Sequence, residues 1–100
     1  MAVAVVEEFA DETERSTKNY DAIRSKIDER LNETSDTGLI IHTAGWTDHC
    51  FRIFEVWESL DHFRLFRQET VLPIVEEILG TSNGIEPEIT IYHLHNVVTP

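Results

Sequence analysis

Five histidines, one cysteine and two tryptophans carry most of the chemical potential of this chain, set among 19 acidic and 8 basic side chains. His42 interrupts the apolar run Leu39-Ile40-Ile41 and is followed by Thr43. A charged imidazolium in such a strand is costly unless paired, so a neutral, hydrogen-bonded ring is expected. Glu55 and Trp57 stand in a second strand-like run, Cys50 to Trp57. If a hairpin pairs His42 with Ile53, alternation puts Ile40, His42, Ile53, Glu55 and Trp57 on one face and Leu39, Ile41, Phe54 and Val56 on the other. The first face then holds a base, a carboxylate to orient it and an aromatic wall for a flat substrate. Phe63 and Phe66, just downstream, extend the wall. A slip of one residue destroys the grouping, and the alternative to a catalytic His42 is a satisfied core or dimer-contact histidine.

The remaining candidates are weaker. His93 and His95 point to the same side of a strand, as two ligands of one metal would, but a third ligand has to come from a strand not adjacent to theirs; no metal is expected. Tyr92 points the opposite way from both, and its phenol either donates to a ligand and moves a proton or simply bonds backbone. Arg64 and Arg67, if turned inward, can bind a carboxylate or phenolate; exposed, they are ordinary solvated residues. No glycine-rich phosphate loop, paired CxxC or nucleophile elbow is present, which removes nucleotide cofactors and serine-type hydrolysis.

The elements that must position these residues follow from pattern. Val3 to Phe9 is a short, valine-rich strand ending in the polar cluster Asp11 to Glu14. Ser16 or Thr17 can cap a helix whose Tyr20, Ile23, Ile27 and Leu31 form one apolar stripe. After a linker from Asn32 to Gly38, Leu39 to Ala44 and Cys50 to Trp57 form a hairpin around Gly45, Thr47 and Asp48. Ser59 caps a second helix with Phe63, Phe66, Val71, Ile74 and Ile78 on its buried side; Pro73 must either kink it or restart it in a first-turn position, and Gly80 ends it. A linker from Thr81 to Pro87 leads to a last strand, Ile89 to His95. The order β-α-β-β-α-β over residues 1–100 reads as a single α+β domain of ferredoxin-like type, a four-stranded antiparallel sheet with two helices on one face.

Charge and composition narrow the partners. A formal charge of −11 opposes nucleic acid and anionic lipid. The apolar N-terminal run lacks a basic leader and is broken by Glu7-Glu8, so neither a signal peptide nor a membrane span is expected, and the lone Cys50 suits a reducing cytoplasm. The strands carry apolar residues at consecutive positions while the helices cover only one sheet face, which calls for an isologous homodimer.

Gly38-Leu39-Ile40-Ile41-His42, Glu55-Val56-Trp57-Glu58-Ser59, Phe63 with Phe66, and Leu72-Pro73 resemble the dimeric α+β barrel proteins that include antibiotic-biosynthesis monooxygenases, over about Val3 to Val98. The resemblance implies a homodimer whose two sheets form a barrel, with a ligand cavity between sheet and helices in each subunit. It does not imply one activity, since such folds host cofactor-free oxygenases, haem-degrading enzymes, isomerases and lyases. Haem-degrading relatives carry a histidine well along the second helix; here the helical histidine is His62, in the first turn, so haem is not expected and no cofactor is assigned. Two readings result. One is a cofactor-free enzyme in which an apolar cavity holds an aromatic or polyketide-like compound and His42 or Tyr92 moves a proton. The other is a non-catalytic, ligand-binding or stress-associated homodimer.

Overall fold

The computed structural model describes residues 1–10, 17–31, 37–80 and 87–100; the Ser16 cap, the Asp11 to Glu14 cluster and most of both linkers lie outside them. The elements are β1 (Val3–Ala10), α1 (Lys18–Leu31), β2 (Leu39–Trp46), β3 (Cys50–Trp57), α2 (Leu60–Phe66), a π-helical turn (Arg67–Val71), α3 (Leu72–Leu79) and β4 (Glu88–His93). The strands form one antiparallel sheet in the order β2-β3-β1-β4. This is the expected α+β, ferredoxin-like arrangement. No helix among the described residues is long and apolar enough to cross a membrane.

Local chemistry sets three of the boundaries. The Thr17 carbonyl accepts from the Asp21 amide at 2.7 Å and its hydroxyl donates to the Asp21 carboxylate at 2.9 Å, closing the first turn of α1. Between β2 and β3, the Thr47 hydroxyl accepts from the amides of His49 and Cys50 at 3.0 and 2.9 Å, so residues 47–49 make the reversal and Gly45 belongs to β2. The Ser59 hydroxyl accepts from the His62 amide at 3.2 Å, the cap its position called for. Before it, Gly38 adopts φ +80°, and a Cβ there would come within 2.8 Å of the His62 Cβ. A side chain at position 38 meets both a left-handed backbone and the first turn of α2.

Pro73 restarts the helix. Proline offers no N–H to the carbonyl four residues back and its ring crowds that carbonyl. The chain relaxes this by widening into the π turn, after which α3 begins with Pro73 in its first turn.

Register divides the interior into two ends. Val3, Val5, Trp57 and Phe63 form the core, with Leu39, Leu60, Phe66, Ile89 and Ile91 packed against it. These gather where Val3 pairs with Trp57 and His93. At the other end Phe9 pairs with Phe51, and Trp46 is the β2 partner of the same Phe51. The inner face of β1 therefore reads Val3, Val5, Glu7, Phe9, changing character at Glu7. The outer face has Ala4, Val6 and Val56 buried near its centre, with Ile41 and Tyr92 about half exposed at 48% and 47%.

The hairpin register differs from the expected one. His42 pairs with Glu55 rather than Ile53, and Ala44 takes Ile53. A displacement of two residues keeps side-chain parity, so His42, Ile53, Glu55 and Trp57 do share the helix-covered face. The start of β2 is corrected: a bulge between Leu39 and Ile41 inserts one residue, so Leu39 turns inward opposite Trp57 and Ile40 is 51% exposed.

Candidate functional site

Between the inner sheet face and the helices lies a cavity of about 450 Å³. Trp57, Phe63 and Phe66 separate it from the core, the Trp57 ring lying 5.9 Å from Phe63 and 5.3 Å from Phe66. At the far end the Phe51 ring stands edge-on to Tyr20 at 5.2 Å and to Trp46 at 5.0 Å. Aromatic faces thus bound the space at both ends, the enclosure suited to a flat apolar body.

One polar chain crosses this wall. The Tyr20 hydroxyl lies 2.5 Å from His42 Nε2, His42 Nδ1 lies 2.5 Å from Glu55 Oε2, and the Trp57 indole N–H donates to Glu55 Oε1 at 3.1 Å. A carboxylate only accepts, so His42 carries a proton on Nδ1, which in the neutral ring leaves Nε2 to accept from the Tyr20 phenol. Burial raises the Tyr20 phenol above its ordinary value, keeping it a donor. Glu55 is 9% exposed, and the indole and imidazole together saturate both its oxygens. Its partners arise from register alone: His42 stands directly opposite Glu55 across the β2–β3 ladder, and Trp57 is the next inward residue on the same strand.

One row further from the core, Glu7 on β1 faces the cavity. Burial, then the nearby Glu55 charge, push its carboxyl up to about 7, against the pull of Arg67 and His42. Arg67 lines the cavity as well, whereas Arg64 is exposed and does not. Phe63, Arg67, Val71, Val75 and Leu79 all line it at a strict spacing of four. On a regular α-helix such a row drifts by about 40° each step; the extra residue of the π turn offsets that drift and holds Arg67 in line.

Of the residues singled out from sequence, His42, Glu55, Trp57, Phe63 and Phe66 come together at this cavity. Tyr92 does not. It pairs with Ala4 on the outer face, because Ile89 and Ile91 take the inward positions of β4, and it is no part of this site. His93 pairs with Val3 at the core end, one row along from the His42–Glu55 row but on β4, with β1 standing between it and Glu55. Among the described residues no group of three His, Cys, Asp or Glu is placed to hold a metal. Sequence reasoning missed Tyr20, which reads as one more apolar residue of the α1 stripe, and Glu7, whose signal was an acid at an inward position of an otherwise apolar alternation.

The sequence matches no protein-family model and no curated protein. Its fold is that of antibiotic-biosynthesis-monooxygenase-like proteins of known structure. SnoaB, a cofactor-independent oxygenase from Streptomyces nogalater, is 15% identical with a TM-score of 0.63, over 99% of this chain and 98% of that one. Rv0793 from Mycobacterium tuberculosis is 16% identical with a TM-score of 0.64, over 99% of this chain and 100% of that one. A conserved protein from Methanosarcina mazei Go1 is 20% identical with a TM-score of 0.63, over 92% and 91%.

Proposed function

We propose that this protein is a cofactor-independent, monooxygenase-like enzyme that deprotonates an aromatic or polyketide-like compound in the cavity and lets the resulting anion react with oxygen. The observation that carries this reading is the Tyr20–His42–Glu55 chain set into an aromatic-walled cavity. Tyr20 takes a proton from substrate as it passes its own to His42 Nε2, and Glu55 stabilises the imidazolium that forms. With a substrate whose CH₂ is acidified by flanking aryl rings and a conjugated ketone, loss of the proton gives a carbanion that adds O₂ to form a peroxide anion. The proton held at His42 returns to that anion. Loss of water from the hydroperoxide then breaks the O–O bond and the second C–H bond, leaving a ketone, so that R₂CH₂ and O₂ give R₂CO and H₂O. The substrate supplies both electron pairs the change requires.

Two copies pair through the outer sheet faces, a reading supported by the half-exposed Ile41 and Tyr92 there and by the fold likeness. A second function is favoured by one observation: the Tyr20 phenol already occupies His42 Nε2, so the chain also serves to pin α1 to the sheet in a protein that binds a ligand without turning it over. Oxygen uptake separates the two. With a hydroxyanthrone as probe, the enzyme reading expects protein-dependent consumption of one O₂ per ketone formed and no hydrogen peroxide. Binding of the probe with uptake no faster than in buffer leaves only the ligand-binding reading.

A further inference from the structure

The charge of the cavity runs against that of the chain. The whole sequence has 19 acidic and 8 basic residues, yet the described residues that line the cavity include three basic ones, Lys18, Arg24 and Arg67, and only two acidic ones, Glu7 and Glu55. Glu55 is already saturated by His42 and Trp57. Arg24 is held by Asp28 at 2.6 Å on the flank of α1. Arg67 is different: it is half-buried, and among the described residues its guanidinium makes no hydrogen bond and no ion pair. Glu7 faces the same space, near enough to feel the Arg67 charge but without a hydrogen bond to it. An arginine kept in line with Phe63 and Val71 by the π turn, and given no hydrogen-bond partner by the described residues, presents its donors to the cavity in a place where water is a poor substitute.

We propose that the cavity takes an anionic aromatic ligand, an aryl carboxylate whose carboxylate pairs with the Arg67 guanidinium while its ring lies between the aromatic walls. The planar fork of a guanidinium matches a carboxylate through two parallel hydrogen bonds, and the surrounding apolar surface strengthens them. The negative field of the chain as a whole repels anions, so the local excess of positive charge is what admits this one. The inference rests on the cavity being a small-molecule site, as proposed above, but not on proton transfer or oxygen chemistry.

Calorimetric titration with 2-naphthoate and its neutral isostere 2-naphthamide tests it, with the ratio of affinities taken within each protein so that any general loss of stability cancels. The wild type should prefer the carboxylate by about 10-fold or more, the value of one charge-assisted hydrogen-bonded pair. Arg67→Gln should abolish the preference while retaining amide binding, and Arg67→Lys should restore part of it. Equal affinities in the wild type, or a preference that survives Arg67→Gln, overturn the proposal and leave the small-molecule cavity standing. Failure of both probes to bind overturns the cavity reading and this inference with it. If Arg67→Gln does not fold, equal affinities in the wild type still overturn the proposal, and a preference that Arg67→Lys leaves undiminished does so as well.

Discussion

A His42→Ala variant is expected to lose about 10²- to 10⁴-fold of the oxygen-uptake rate with hydroxyanthrone, the usual worth of a positioned general base. The imidazole is the only group in the polar chain that can both accept a proton from the Tyr20 side and hand the resulting charge to a carboxylate. Removing it leaves Tyr20 with no acceptor and strands Glu55 with one partner, Trp57. His42→Gln keeps hydrogen-bonding capacity and polarity, so it should fold at least as well as the alanine variant yet be comparably inactive, because an amide does not take up a proton. Circular dichroism establishes that both variants are folded before rates are compared. A folded His42→Gln protein with activity within about threefold of wild type would take His42 out of the chemistry.

The second large effect is on stability and depends on pH. A carboxyl whose folded pKa stands at about 7, above the 4.5 of an unperturbed glutamate, binds its proton more tightly in the native state than in the unfolded one. Between those values the native state carries more protons, so stability falls as pH rises from about 4.5 through 7, and the loss is complete above that. A shift of this size corresponds to about 3 kcal/mol. Glu7→Gln is neutral throughout and escapes the loss. Urea unfolding at pH 5 and pH 8 should therefore find the variant gaining on wild type between the two, by up to about 3 kcal/mol, with the larger advantage at pH 8. Denaturation midpoints that differ by the same amount at both pH values would mean that Glu7 ionises as freely in the folded protein as in the unfolded chain.

Much of this architecture was legible from patterning because strands and helices announce themselves by period. The β2–β3 hairpin and the Ser59 cap were readable from local pattern, whereas at Pro73 the sequence left a kink and a restart open and the structure shows the restart. The shared face of His42, Glu55 and Trp57 was readable too, since parity survives a two-residue error in register. Parity does not survive a bulge, and Leu39 and Ile40 were exchanged between faces for that reason. Tyr92 could not be placed because nothing local to the last strand ties its alternation to that of β2; the tie is the pairing of β4 with β1, a contact between chain ends. Tyr20 escaped, and the choice between an inward and a solvated Arg67 stayed open, for related reasons. A tyrosine at helical spacing among isoleucines is indistinguishable from core, and the inward turn of Arg67 depends on a π turn that no local propensity predicts.

Proton transfer through the cavity wall requires one arrangement: Nδ1 of His42 donating to Glu55, Nε2 accepting from Tyr20. Long-range ¹H–¹⁵N correlation of the histidine rings observes it directly. The neutral His42 ring should show its proton on Nδ1 and an unprotonated Nε2, and Glu55→Gln should disturb that assignment. A neutral His42 ring protonated on Nε2 would contradict it, since the lone pair needed to receive a proton through Tyr20 would face the wrong way.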